Sequence, residues 1–155
     1  MHWLVFCAVL MVFGGCGNKP TISIQVFPGA LAQAAADSTA AGWERVEFKG
    51  SPRAAAGVYH VRLDTLLTEW NIVASRAVSP SEGGAAAAVR LNAYSKARME
   101  KYTADEANLR TILAVRINGR WADFAPVLDR ISDRMVLFGF TEQEVKDLDL
   151  YLTSR

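Results

Sequence analysis

Two carboxylates that lie close together in the sequence are the groups of this chain best placed for acid–base chemistry. Asp129 and Asp133 alternate with Arg130 and Arg134 around Ile131. This spacing could bring the two acids together, as a hydrolase requires, or it could let each acid form an ion pair with a neighbouring arginine. We expect the ion pairs. A small cell-envelope hydrolase that uses these acids is the alternative.

The chain offers few other groups for catalysis or for metal binding. It contains two histidines, and His60 is the one outside the first twenty residues. A lone histidine completes neither a Cys/His metal cluster nor a Ser-His-Asp triad. Gly83-Gly84 lacks the Lys-Ser/Thr pair that follows the glycines of a phosphate-binding loop. We therefore expect His60 to lie on a strand surface, and we expect no metal, no cofactor and no enzymatic activity.

The chain begins with a short apolar run that ends in small residues and a cysteine. Residues 3–13 are all apolar, and Gly14, Gly15 and Cys16 follow them. The run is shorter than the roughly 20 residues that cross a bilayer. The boundary resembles a bacterial lipoprotein processing site, in which small residues fit the peptidase groove and the Cys16 thiol carries the lipid.

This boundary predicts a lipoprotein signal peptide at residues 1–15 and a palmitate-bearing lipid anchor on Cys16. A tether with an edge strand is then expected at residues 16–42. The domain would lie outside the cytoplasm, held by lipid on the cell membrane or on the periplasmic side of the outer membrane. Ordinary secretory cleavage near Gly15 and a retained, buried N-terminal strand remain alternatives.

The composition favours one packed domain with no preference for nucleic acid. The chain has 155 residues, of which 51% are hydrophobic and 21% charged. Seventeen Lys and Arg residues are interleaved with sixteen Asp and Glu residues, for a net charge of +1. A nucleic-acid-binding domain usually carries a marked excess of positive charge. We therefore expect a single module at residues 43–155 and no nucleic-acid partner.

Apolar spacing and turn residues predict an α+β fold, in which an antiparallel sheet carries two main helices. A helix is predicted at residues 94–109 with Ser95 as its N-cap, and another begins at the capping box of Thr141 and Glu144. Asp64 is expected to cap a short helical turn. Alternating or apolar runs predict strands at residues 21–27, 43–50, 56–63, 72–78, 87–92, 111–117, 120–124 and 135–138. Asn118-Gly119 predicts a tight hairpin between the two strands that flank it.

Residues 88–152 resemble the head part of the first periplasmic domain of SecD, an accessory subunit of the bacterial preprotein translocase. The resemblance rests on the segments LAVRINGRWADFAPVL and GFTEQEVKDLDLYL. Two glycine positions of the family differ here. Ser132, Asp133 and Arg134 replace paired glycines before a short strand, and Arg110 replaces the glycine that ends a helix.

The resemblance implies a non-catalytic binding or scaffolding module outside the cytoplasm. In the family this part is thought to meet the emerging preprotein, so the expected partner is a translocated polypeptide or a protein of a membrane complex. A sheet edge or an aromatic groove would serve either partner. The candidate partner-binding residues are Trp121, Asn118, Gly119 and Trp70.

Overall fold

The structure, a computed structural model, describes residues 21–31, 41–79 and 84–155. The predicted signal peptide, Cys16 and much of the predicted tether lie outside these residues. In the described parts of the chain, no helix is long and apolar enough to cross a membrane.

Most described strands form one antiparallel sheet. In spatial order they are β2 (Trp43–Phe48), β3 (Gly57–Arg62), β1 (Ile24–Leu31), β7 (Ile112–Ile117) and β8 (Arg120–Pro126). The short strand β4 (Leu67–Thr68) pairs with β1 on the same side as β3. A second antiparallel sheet contains β5 (Ile72–Val78), β6 (Ala85–Leu91) and β9 (Arg134–Phe140), in the order β5-β6-β9.

Two main helices accompany these sheets, α1 (Ala93–Ala104) and α2 (Glu142–Thr153). The main apolar core lies between the two sheets and the helices. Ile24 and Val115 of the large sheet meet Leu137 of the small sheet there, together with Met99 of α1 and Leu148 of α2. A second apolar cluster covers the other face of the large sheet, with Phe27, Tyr59 and Phe124 among its members. The predicted α+β class is confirmed, with the strands divided between two sheets.

The N-terminal strand is a correction to the predicted organisation. β1 lies inside the large sheet, between β3 and β7, and does not form an edge. It is buried on both faces, since Ile24 and Val26 enter the main core and Phe27 enters the second cluster. Strands buried on both faces carry near-continuous apolar runs, which is the pattern of this segment. The fold therefore includes residues that precede Trp43.

Pro28 made the central position of β1 hard to predict from the sequence. Proline has no backbone N–H to donate to a neighbouring strand, and within sheets it is found on edge strands, at the first residue of a strand or at bulges. In the structure β3 pairs with residues 29–31 of β1, and β4 pairs with Gln25 and Val26. Pro28 lies in the gap between these two partners, so no pairing is lost on that side. The strand continues past it to Leu31.

Three local expectations also differ from the structure. Asn92, not Ser95, is the N-cap of α1, and its side chain accepts a hydrogen bond from the Ser95 backbone N–H at 2.9 Å. Asp64 pairs with Arg98 at 2.7 Å and caps no helix. His60 is buried at 9% exposure, so its expected place on a strand surface is wrong. The alternating sequence of β3 could not show that both faces of this strand are covered by other parts of the protein.

Candidate functional site

The predicted hairpin exists, and its turn residues serve the fold. Asn118 and Gly119 both have positive φ, 48° and 81°, as the tight two-residue turn requires. The Asn118 amide oxygen accepts from the Ser23 backbone N–H at 3.0 Å, and its amide nitrogen donates to Glu144 at 3.2 Å. These two bonds use one lone pair of the amide oxygen and one of the two amide hydrogens, and they join the turn to Ser23 and to α2.

Glu144 is the centre of these contacts. Its carboxylate accepts from the Thr141 backbone N–H at 2.8 Å and from the Arg120 guanidinium, which also donates to the Gly139 carbonyl at 2.8 Å. Burial alone would raise the pKa of Glu144, but the bonds from Thr141 and Arg120 outweigh it and hold the pKa below its ordinary value. The capping box of α2 is thus confirmed.

Trp121 packs within the second apolar cluster. Its ring meets the rings of Phe27 and Phe124 at centroid distances of 5.6 and 5.8 Å. The Arg116 guanidinium lies 5.2 Å from the Trp121 ring centroid and donates to Gln25. The indole is half-buried, and these contacts give it a structural role.

The acids of the hydrolase alternative do not form a catalytic pair. Asp129 lines a cleft of about 390 Å³ that also contains Arg130 and Arg134, whereas Asp133 is not among its lining residues. Asp133 lies 4.0 Å from Arg134, and Asp129 accepts from the Arg130 backbone N–H at 2.6 Å. The cleft therefore places positive charge beside Asp129 and contains Asp123 but not Asp133, so the expected pairing of Asp129 with Asp133 receives no support.

Asp123 is a buried carboxylate that the sequence did not single out. It is 1% exposed and accepts from the Ser51 hydroxyl at 3.1 Å, while its second oxygen has no hydrogen-bond partner in the described parts of the chain. Burial raises the pKa of Asp123, although the Ser51 and Phe124 hydrogen bonds and the Arg53 charge act in the opposite direction. Its neighbour Tyr59 also has a raised pKa, from burial and from the Asp123 charge.

Trp70 is the predicted site residue that the structure leaves exposed, with 61% of its surface accessible. It precedes β5 and meets Tyr151 near the end of α2, with ring centroids 6.0 Å apart. The Arg155 guanidinium lies 5.2 Å from the Trp70 ring centroid. Trp70 therefore lies next to the start of β5 and contacts the end of α2.

An open groove follows the outer edge of β5. A part of about 580 Å³ is lined by Ser75, Arg76, Ala77, Val145, Lys146, Asp149 and Leu150. A second part of about 260 Å³ shares Ala77, Val145 and Lys146 and continues to Val78 and Glu142. Since the start of α2 lies beside the end of β5, and Trp70 lies beside the end of α2, strand and helix run antiparallel along the whole groove.

The outer edge of β5 has no strand partner in the described parts of the chain. β5 pairs with β6 on one side, and residues 73–78 make no further backbone hydrogen bond there. The apolar side chains of Val73 and Leu150 are 47% and 52% exposed beside it. An unpaired edge next to exposed apolar side chains can accept another extended chain.

Sequence reasoning found Trp70, which lies next to the start of β5, but it did not find the residues that line the groove. Leu150 carried a signal, because it falls between the core residues Leu148 and Leu152 and so lies off the apolar stripe of α2. An apolar residue away from the core-facing stripe of an amphipathic helix is a candidate contact residue. That β5 is an edge strand could not be predicted, since it depends on the order of the strands.

Comparison with known proteins gives a match in structure alone. No protein-family model matches the chain, and no curated protein matches it. A crystal structure of SecDF in the super-membrane-facing form matches with a TM-score of 0.51 and 16% identity, over 88% of this chain and 19% of that chain.

A second SecDF structure, described as a membrane component that enhances protein export, matches with a TM-score of 0.49 and 16% identity, over 86% of this chain and 61% of that chain. The chain thus spans less than two thirds of either SecDF chain. At this identity the similarity shows the fold. The resemblance predicted from residues 88–152 is confirmed at that level: the chain has a fold found in SecDF.

Proposed function

We propose that this protein is a non-catalytic binding module outside the cytoplasm that holds an extended polypeptide segment along the outer edge of β5. The observation that carries the proposal is the unpaired edge of β5, which faces a groove bounded by α2, with the exposed Trp70 next to the start of the strand. The hairpin residues Asn118 and Gly119 and the half-buried Trp121 support the fold around this module.

An extended chain suits this groove for a physical reason. Backbone N–H and C=O groups on an open strand edge bind the backbone of any extended segment, which gives affinity with little dependence on sequence. Exposed apolar side chains on the neighbouring helix then add contacts with alternate side chains of the guest. Leu150 of α2, which is 52% exposed, supplies such a contact, and the half-buried Val145 lines the same groove. The exposed Trp70 lies next to the start of β5.

The edge of β2 provides a useful contrast within the same molecule. β2 is also an outer strand of its sheet, but Arg45 and Glu47 project from it and pair with each other at 2.7 Å. Charged side chains on an edge discourage pairing with another chain. On β5 the charged side chain is Arg76, with Val73 exposed near the strand start. The two edges therefore differ in their suitability for a polypeptide guest.

The similarity of fold to SecDF supports a setting for this binding. SecDF is a membrane component that enhances protein export, so a module of the same fold would meet exported polypeptides or a protein of a membrane complex. Lipid on Cys16 would keep the domain at the membrane surface where such chains emerge. Because β1 begins at Ile24, few residues separate the anchor from the folded domain.

The anchor is tested separately from the groove. Replacing Cys16 with Ser should move the protein from the membrane fraction to the soluble fraction and abolish labelling with palmitate. Sedimentation of the Ser variant with membranes, together with no palmitate labelling of the wild type, would exclude the lipid anchor and leave the groove untouched.

The groove is tested by photocrosslinking in cells. A photoreactive residue at Ser75 on β5 should capture polypeptide, and the same residue at Glu47 on β2 should capture far less. Leu150→Asp should reduce the Ser75 crosslinks, whereas Leu63→Asp, a change at a comparably exposed leucine away from the groove, should not. Equal crosslinking from both edges, or recovery of peptidoglycan alone, would exclude the β5 groove as a polypeptide site.

Mass spectrometry of the captured protein distinguishes the two classes of partner. One dominant membrane protein would identify the module as an accessory subunit of a complex. A broad range of exported proteins would identify it as a module that binds translocated chains.

A further inference from the structure

One face of the small sheet carries three arginines and no acidic residue. In β6 and β9, Ala87, Val89 and Leu137 point into the main core. Since side chains alternate along a strand, the neighbouring residues lie on the opposite face. The register places Ala74, Arg76, Ala88, Arg90, Arg134 and Val136 there, and we call this set the arginine face. Ala86 and Phe138 continue the same face, and the Arg53 guanidinium lies over the Phe138 ring.

Two of these arginines lie directly opposite each other on neighbouring strands. Arg90 of β6 and Arg134 of β9 are Cα partners across the ladder, and Arg90 also pairs with Ala74 of β5. Like charges directly opposite each other destabilise a sheet. Within the described residues Arg76 and Arg90 form no ion pair, and Arg134 reaches Asp133 at the 4.0 Å limit with 80% of its side chain exposed. An external anion would relieve this repulsion.

The shape of the face favours a surface with many anions over a single small ion. The arginines border an open depression of about 450 Å³ with alanine and valine side chains on its floor. Val136 is 40% exposed within it. Leu128, which is 79% exposed, lines the adjoining cleft together with Arg130 and Arg134, and Asp129 lies in the same cleft. Guanidinium groups beside exposed apolar side chains match the boundary of a bilayer, where phosphates lie above acyl chains.

We propose that the arginine face docks on an anionic phospholipid surface. Arg76, Arg90 and Arg134 bind lipid phosphates, and Val136 and Leu128 enter the interface between headgroups and acyl chains. An acidic polypeptide would satisfy the charges but would leave these two apolar side chains without a partner.

The test uses the full chain with Cys7→Ser and Cys16→Ser, in which Val136→Cys carries an environment-sensitive fluorophore. Vesicles that contain phosphatidylglycerol should shift its emission to the blue, and vesicles of phosphatidylcholine alone should not. The N-terminal apolar run is present in every protein compared, so its contribution cancels. A second protein carries the fluorophore at Glu47→Cys on the large sheet and should show no shift that depends on phosphatidylglycerol.

Replacing Arg76, Arg90 and Arg134 with Gln should raise the phosphatidylglycerol concentration for half of the shift by about 100-fold. The control replaces Arg45, Lys49 and Lys101 with Gln, which removes the same charge elsewhere and should change this concentration less than about threefold. Circular dichroism checks that both variants fold. If the triple arginine variant is unfolded, raising the salt concentration on the parent protein provides the same comparison.

Three results would overturn the proposal. The label at Val136 could show no dependence on phosphatidylglycerol, or the label at Glu47 could shift equally, which would assign lipid contact to another surface. A response of the Val136 label to poly-glutamate but not to phosphatidylglycerol would assign the arginine face to an acidic polypeptide.

Discussion

The side-chain amide of Asn118 donates a hydrogen bond to the carboxylate of Glu144 at 3.2 Å. This bond joins the turn between β7 and β8 to the first turn of α2. Glu144 is only 8% exposed, and its carboxylate also accepts a hydrogen bond from Arg120. Arg120 in turn donates to the Gly139 carbonyl of β9. The Glu144 carboxylate therefore connects the hairpin, the start of α2 and β9. Asn118, which the sequence pattern offers as a partner contact, therefore also holds parts of the fold together.

Glu144→Gln should destabilise the protein by about 1–2 kcal/mol at pH 7, because the Arg120 pair loses its charge. The lowered pKa of Glu144 means that its stabilisation is complete above the unfolded-state pKa and is lost as the pH falls through the folded-state pKa. In urea unfolding, the difference in the free energy of unfolding between Glu144→Gln and the wild type should thus become smaller as the pH is lowered. Glu142→Gln, an exposed change in the same helical turn, should cost a few tenths of a kcal/mol. A difference independent of pH would contradict this assignment.

Asp123→Asn should show the opposite pH dependence. Since burial raises the pKa of Asp123, its contribution to stability is complete below the unfolded-state pKa and is lost as the pH rises through the folded-state pKa. The Asn variant should therefore gain stability relative to wild type between pH 4 and pH 7 in urea titrations. Asp129→Asn, which removes one negative charge at an exposed carboxylate, is the control for the change in net charge. A constant difference for Asp123→Asn at both pH values would argue against the raised pKa.

Gly139→Ala and Gly119→Ala form a matched pair, because φ is 83° at the first glycine and 81° at the second. A Cβ at Gly139 would lie 2.4 Å from the Ala122 carbonyl oxygen of β8, whereas one at Gly119 would meet nothing within 4 Å. We expect a loss of about 1 kcal/mol at Gly119 and about 3 kcal/mol or more at Gly139. Thermal unfolding measures both. Similar losses at the two sites would show that β8 and β9 do not approach so closely.

Arg110→Gly should stabilise the protein by about 0.5–1 kcal/mol, since Arg110 adopts a φ of 68° that a side chain disfavours. In the SecD family, which the sequence resembles, a glycine that ends a helix stands at this position. Arg110→Ala keeps the disfavoured φ and should bring no comparable gain. Urea unfolding of the two variants separates relief of backbone strain from loss of the charge, and an equal gain in both would point to the charge.

Trp121→Ala and Trp70→Ala should separate folding from binding. Loss of the Trp121 contacts with Phe27 and Phe124 should cost about 2–3 kcal/mol of stability. Trp70 is 61% exposed, so its replacement should cost less than about 1 kcal/mol and should weaken crosslinking from Ser75. Unfolding curves and crosslinking yields measure the two effects. If Trp70→Ala left the crosslinks unchanged, the groove would not extend to its predicted end.

The local features were predictable from sequence because a few neighbouring residues determine them. Asn118-Gly119 specifies its turn, since both residues tolerate positive φ, and Thr141 with Glu144 specifies the start of α2 through bonds three residues apart. Residues 43–48 and 57–62 form strands where alternating apolar residues predicted them. The SecDF fold was recognisable for the same reason, since a series of such local signals follows in the same order.

Long-range pairing decided the rest. β1 is central because β3, β4 and β7 all pair with it, and no residue of β1 specifies partners that lie up to 93 positions away, as Ile24 and Ile117 do. The opposition of Arg90 and Arg134 and the open edge of β5 likewise depend on strand order and register. Periodicity in a sequence tells which side chains share a face, but burial of apolar surface in three dimensions selects which strands become neighbours.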